Sequence, residues 1–430
     1  LKRALLPVIL AAIFLPVASA AQPQVTPTKV EQRCLQAVNW LLQHQQPNGG
    51  WKFREHTSSM DTGVVLLGYS EVYDYLPPAT KAKVKESIVK AVKYIESCYD
   101  PEKGGFKDYP DQTDVKYMPM YTLHALIGLI AVEKKFPSIA QQLNVDQYIT
   151  KGLDYLMKLQ KPTGIWNDFG PGSWANQYRD TPWTVWVALW SGKYTPDDPH
   201  ISKAIEWLLN NLKPVVTPMG EISGMKLDED AAIKVDMTAM TALALYYAGP
   251  QKYAQYVKAL QKGLITYQRP DGNFPAHLSF TDEMFGVHGK AVPCPHKTAR
   301  VLYALMVTGY NPKDEHILKA VAAILDSKAQ KDGSWYWPAE NNAAEPNPDV
   351  GPAYAYCTGW CLAALGAWLH AVGAKPLTGT TGASVAPSGN LVLGALVFDV
   401  VPVVLGLSTV GVLPGIGDLQ VNGVEVKDIS

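Results

Sequence analysis

The chain is poor in charge. Asp, Glu, Lys and Arg make up only 18% of its 430 residues, the net charge is −1, and no basic run is sustained. That argues against nucleic acid as a partner. Cysteine is scarce too, an odd set of five at Cys34, Cys98, Cys294, Cys357 and Cys361. A dense disulfide framework is excluded, and a chain of this length does not need one. The sequence contains no G-x-S-x-G, no H-E-x-x-H and no P-loop. Nucleophile-elbow hydrolases, zincins and P-loop NTPases are therefore not expected. Phenylalanine is also sparse, at 9, whereas tryptophan (12) and tyrosine (22) are plentiful. Those two suit apolar surfaces that keep a polar handle, such as cavity walls, and equally the rim of a large core.

The N-terminus reads as a processing segment. Lys2 and Arg3 precede LLPVILAAIFLPV, and a small-residue site follows at Ala18–Ala20. Cleavage after about Ala20 and export to the periplasm or beyond are expected, with a retained anchor as the alternative. Residues 1–20 form this segment, 21–375 the main domain, 376–390 a Thr/Gly/Ser/Pro linker and 391–430 a β-rich tail.

Turns of one type recur through the main domain: QQPNGGW ending at Trp51, PEKGGF at Phe106, QKPTGIW at Trp166, a degenerate TPMGEI at Ile222, QRPDGNF at Phe274 and QKDGSW at Trp335. The intervals are 55, 60, 56, 52 and 61 residues. Such a period marks a repeat architecture. An amphipathic helix precedes each turn, and a far more apolar helix rich in Ala, Gly and Thr follows it. Helices apolar nearly all round must be buried on most sides. An open stack would need polar end caps, and neither the first nor the last inner helix has them. The expected fold is all-α, an (α/α)6 toroid of six hairpins with parallel inner helices. Trp51 and its equivalents should pack each turn on the neighbouring outer helix.

The G-x-W/F turn after an amphipathic helix resembles the QW repeat of squalene and hopene cyclases and of protein prenyltransferase β-subunits, over roughly residues 29 to 375. That resemblance implies the toroid and leaves the activity open, since one fold hosts many functions. Three inner helices start with Asp61, Asp180 and Asp236, each a good N-cap. K-V-D-M-T-A, Lys234 to Ala239, is similar to the D-x-D-D segment of class II terpene cyclases, which would make Asp236 the acid. Lys234 and Met237 replace its flanking aspartates. The thioester motif of complement-like toroids, G-C-G-E-Q, is absent.

Prenyltransferase β-subunits hold zinc at two successive inner-helix starts. Here the comparison lands on Cys294, His296 and Cys357, ligand types that differ from the family's own. Zinc, a Cys294–Cys357 disulfide and inert buried thiols remain open alternatives. Cys34 and Cys98 are not expected to pair. The loops after turns five and six are the longest, 22 residues from Phe274 to His296 and again from Trp335 to Cys357. With Trp174, Tyr178, Trp183 and Trp186 they are candidates for an aromatic mouth. Asp61, Asp180, Trp360 and Tyr246 are further ligand-binding candidates alongside Trp183 and Trp186. In the tail, LPGIGDLQVNGVEV is similar to a PDZ segment, which implies peptide recognition. Asp399 and Pro402 make Leu391 to Val412 a poor membrane span, so membrane association without an integral helix is the expectation.

These features point to a toroid that binds a small apolar or isoprenoid-like ligand in its cavity or mouth. Cyclase- or prenyltransferase-like chemistry and an interaction scaffold are the alternatives.

Overall fold

The structure, a computed structural model, describes residues 25–53, 56–167, 176–227, 235–275, 295–328, 330–336, 354–375, 419–421 and 424–426. The processing segment, the linker and most of the tail lie outside the described residues. Within them the chain runs as outer–inner hairpins. The first pairs α1 (Pro27–His44) with α2 (Ser59–Val72), and the second α3 (Pro78–Ser97) with α4 (Met118–Lys135). After the short α5 (Pro137–Gln142) come α6 (Val145–Lys158) with α7 (Asn176–Ser191), and α8 (Pro199–Asn210) with α9 (Val235–Ala248). The last two pairs are α10 (Ala254–Thr266) with α11 (Pro295–Val307) and α12 (Glu315–Leu325) with α13 (Tyr354–Ala371). This is the (α/α)6 toroid.

The two helix sets differ as their sequences require. Outer helix α6 buries Val145, Ile149, Leu153 and Leu156, a stripe at helical spacing, and turns Asp154 and Lys151 to solvent. Inner helix α2 buries an unbroken run from Asp61 to Ser70. The ring closes between the last and first hairpins. A Cβ on Gly68 would stand 2.6 Å from the Gly359 carbonyl oxygen, so only glycine lets α2 and α13 approach this closely. Outside, Arg33 on α1 donates to the Gly333 carbonyl (2.6 Å) and lies 3.6 Å over the Trp335 ring.

Six nearly identical staples fix the hairpins. The backbone N–H of each turn's last residue donates to a threonine hydroxyl in the first turns of the following inner helix. The pairs are Trp51–Thr62 (3.2 Å), Phe106–Thr122 (2.8 Å), Trp166–Thr181 (3.1 Å), Leu227–Thr238 (3.2 Å), Phe274–Thr298 (3.1 Å) and Trp335–Thr358 (3.0 Å). The fourth corrects the sequence reading, because Leu227 rather than Ile222 ends that turn. A hairpin, β3–β4, occupies the turn, after the β1–β2 pair Trp51–Phe53/His56–Ser58 of the first turn. Its strands, Leu212–Val216 and Ile222–Leu227, shift the register. The sixth turn carries β5–β6, Gln330–Lys331 against Ser334–Trp335, and the tail carries β7–β8, Leu419–Val421 against Val424–Val426.

The indole N–H of the turn tryptophan bonds within its own hairpin. Trp51, Trp166 and Trp335 each give the indole N–H to a carbonyl of their own outer helix, at Leu41 (2.8 Å), Leu156 (2.7 Å) and Ile324 (2.8 Å). Its one donor is thus satisfied on its own outer helix. The glutamine of the turn makes the crossing. Gln45 donates to Gly49 (2.7 Å) and to Ser87 of the next outer helix (2.9 Å), and Gln160 and Gln268 repeat the pattern at His200 and His316.

Candidate functional site

All inner helices begin at one end of the ring, so their partial positive termini share one mouth. Two residues beyond the staple threonines stand Val64, His124, Trp183, Met240, Arg300 and Trp360 in turn, and His124, Trp183, Arg300 and Trp360 meet one another at the mouth. All but one of the staples repeat on near-identical residues; among these six positions only tryptophan recurs, at Trp183 and Trp360.

Arg300 is the centre. It is buried, and its guanidinium donates to Asp236 Oδ2 on α9 and to the Tyr356 hydroxyl on α13. The ring centres of Trp183, Trp360 and Tyr356 lie 5.0, 5.1 and 5.2 Å from it, a cation held in an aromatic cage. Tyr356 continues the chain to His124, with Oη 3.1 Å from Nε2. The other ring nitrogen of His124 meets the Met120 carbonyl at 2.9 Å. A carbonyl only accepts, so Nδ1 carries the proton and Nε2 accepts from the Tyr356 hydroxyl. Burial, with Arg300 adding to it, pushes His124 down to about 3, and burial pushes Tyr356 up to about 12. Both are neutral at pH 7. The backbone N–H of Tyr356 donates to Asp61 Oδ1 on α2 (3.1 Å), and His124 packs against Trp183 on α7 (5.3 Å). Every inner helix therefore contributes to one connected cluster.

Below it the axis is lined by rings. Trp183 meets Trp360 at 5.7 Å and Trp186 at 6.0 Å, and Tyr303 meets Trp360 at 6.1 Å and Trp186 at 6.2 Å. At the far end the Tyr303 hydroxyl donates to Glu71 (3.4 Å), whose carboxyl burial pushes up to about 7.

Several expected residues are brought together here: Asp236, Asp61, Trp183 and Trp360 in the mouth, with Trp186 just beneath. The aspartates do not cap their own helices. Ser58 caps α2, accepting from the Asp61 N–H, which leaves the Asp61 carboxyl to reach the next helix. Burial, with Asp108 adding to it, raises that carboxyl well above its usual range. Asp180 sits one turn into α7 and pairs with Arg179 (2.6 Å), and Asp236 pairs with Arg300. Tyr246 is not in the mouth. It lies at the last turn of α9, against Tyr247. Tyr178 faces outward, onto Trp207 (5.1 Å). Trp174, Lys234 and the long insertions lie outside the described residues.

His296 and Cys357 do meet, Nδ1 to Sγ 3.4 Å, both buried. Cys294 lies outside the described residues. Among the described residues no group of three or more His, Cys, Asp or Glu suits a metal ion. Cys34 and Cys98 are separate buried thiols. No described helix is long and apolar enough to cross a membrane. Sequence reasoning missed Arg300, Tyr356 and His124. For Arg300 and His124 the available signal was a charged or polar side chain two positions beyond a threonine in an otherwise apolar helix; Tyr356 had no such signal.

Comparison with known proteins places the fold. Residues 60–288 match the model of the squalene-hopene cyclase C-terminal domain. The chain belongs to that family. It is 23% identical over 203 residues to a probable squalene–hopene cyclase of Sinorhizobium fredii, a match covering 41% of this chain and 30% of that one. The chain thus spans under a third of that curated relative. The type II terpene cyclase MstE from Scytonema shares the fold at TM-score 0.50 and 15% identity, covering 80% of this chain and 98% of that one. A variant of MstE in complex with its substrate geranylgeranyl dihydroxybenzoate matches at TM-score 0.50 and 14% identity, covering 80% and 99%. An unsaturated glucuronyl hydrolase specific for heparin matches at TM-score 0.53 and 9% identity, covering 80% and 98%. The toroid is thus shared by cyclases and sugar hydrolases alike. At these identities the structural likeness speaks to fold alone.

Proposed function

We propose that this protein binds a small apolar, isoprenoid-like molecule at the N-terminal mouth of its inner ring. The carrying observation is the buried Asp236–Arg300–Tyr356–His124 chain set among Trp183 and Trp360. It is polar and specific where the rest of the inner ring is apolar, the composition of a ligand site rather than of a core. Family membership supports an isoprenoid-like ligand, and so does the geranylgeranyl substrate held by a cyclase of the same fold.

Binding is the better reading than alkene protonation by Asp236. Protonating a C=C bond requires a carboxylic acid that carries its proton. A guanidinium in contact with Asp236 favours the ionised carboxylate instead. Zinc has no role in this reading. Export is part of the proposal and rests on Lys2–Ala20, with N-terminal sequencing of the secreted protein as its check. The PDZ-like tail would recruit peptides independently of the ring.

Native mass spectrometry of the purified protein, followed by lipid identification, tests the binding. An apolar adduct is expected on the wild type and reduced on Arg300→Met. Adducts of equal abundance on both would overturn the site. Turnover of squalene or a prenyl diphosphate, lost in Asp236→Asn, would overturn the preference for binding over catalysis.

A further inference from the structure

Four buried tryptophans of this chain satisfy their indole N–H on a backbone carbonyl. Trp51, Trp166, Trp335 and Trp368 donate to Leu41, Leu156, Ile324 and Pro312 at 2.8, 2.7, 2.8 and 3.0 Å. Three on the axis do not. Trp183, Trp186 and Trp360 are as deeply buried, and their Nε1 atoms have no hydrogen-bond partner. Of these, Trp183 and Trp186 stand three residues apart on α7, hence on one face of the helix, with ring centres 6.0 Å apart. An indole nitrogen can only donate, and a buried donor without an acceptor is disfavoured and rare. Two such donors side by side, next to the Arg300 cage, mark a place where an acceptor belongs.

We infer that Trp183 and Trp186 form an oxygen-acceptor subsite, and that the ligand is an apolar molecule bearing a neutral hydroxyl, carbonyl or ether oxygen. The inference rests on the reading of the mouth as a ligand site and narrows its ligand. Neutrality follows from the charges around the pair. Arg300, 5.0 Å over the Trp183 ring, is already compensated by Asp236, Arg179 on the same helix as the pair is compensated by Asp180, and His124 beside Trp183 is held neutral. A carboxylate or diphosphate would enter this buried region with no uncompensated cation to meet it. A hydrocarbon would leave both N–H groups unsatisfied. A neutral oxygen satisfies them and keeps the apolar contacts.

Isothermal titration calorimetry on the full chain with farnesol, farnesene and farnesyl diphosphate tests this. Farnesol is expected to bind about tenfold more tightly than farnesene, the increment of one or two net hydrogen bonds. The ratio should fall to about one in the Trp183→Phe/Trp186→Phe double variant and persist in Trp51→Phe, whose indole serves the rim. Circular dichroism confirms that each variant is folded. Equal wild-type binding of farnesol and farnesene would overturn the inference, leaving the ligand site standing with waters on the indoles. A ratio that survives the double variant, or tightest binding of the diphosphate, would overturn it as well. Binding of none of the three would overturn the ligand-site reading itself, and the subsite with it.

Discussion

The rim and the axis of the ring are built on opposite rules. At the rim, each hairpin repeats one solution, an N–H of the turn on a threonine of the inner helix, with distances between 2.8 and 3.2 Å. Two residues further along each inner helix, where His124, Trp183, Arg300 and Trp360 meet at the axis, no solution recurs except Trp183 and Trp360. A helix, a turn and a staple can be copied because each copy meets the same neighbours. The axis is where all the copies meet one another, so six equal residues would clash or leave a gap there. Differences at equivalent positions are therefore where a repeat protein writes its specificity, and the uniform positions are where it writes its fold.

The largest expected effect is at the axis. Arg300→Met leaves Asp236 buried without its cation and should cost about 3–5 kcal/mol in urea unfolding. Adding Asp236→Asn to it should recover most of that loss, because the stranded charge is then gone. If the single and double variants are equally unstable, the pair is not the centre of the cluster.

Next is the far end of the same axis. Burial raises Glu71 from 4.5 to about 7 in the folded protein. The folded form then binds more protons than the unfolded one between those values, so stability is full below about 4.5 and falls as pH rises towards 7. The total loss is about 3 kcal/mol at most. Glu71→Gln should flatten the pH profile of urea midpoints in that window. A profile unchanged by the substitution would remove Glu71 as its source.

The rim should respond more weakly and more evenly. Threonine to valine at Thr62, Thr122, Thr181, Thr238, Thr298 or Thr358 removes one acceptor from a buried N–H and should cost about 1–2 kcal/mol each. One threonine costing far more than the others would break the equivalence of the hairpins. The smallest effect belongs to Tyr246→Phe, less than about 0.5 kcal/mol and without influence on binding, since Tyr246 lies away from the mouth.

The rim was readable in the sequence because its signals are local. Gly, Pro and Trp mark the turns, and the apolar period marks the helices, all within a few residues. Even so, the division of labour between Gln45 and Trp51 was not readable, because it depends on which helix lies beside the turn. The fourth turn misled for the same reason: Leu227 does the work of a tryptophan only after a hairpin has carried it into place. The axis was half readable. Asp236 and Trp183 stood out by type, but their partner Arg300 lies 64 residues from Asp236, and His124 lies 232 from Tyr356. Only the closed ring makes them neighbours. The same closure turned Asp61 from the cap of its own helix into an acceptor for the next.

The most direct test of the central claim is one calorimetric titration with farnesol, run on wild type, Tyr356→Phe and Thr298→Val. Tyr356→Phe cuts the link between Arg300 and His124, and Thr298→Val removes a rim staple from the helix that carries Arg300. The account predicts at least tenfold weaker binding for Tyr356→Phe and affinity within about twofold of wild type for Thr298→Val. Equal losses in both, or a loss confined to Thr298→Val, would contradict it.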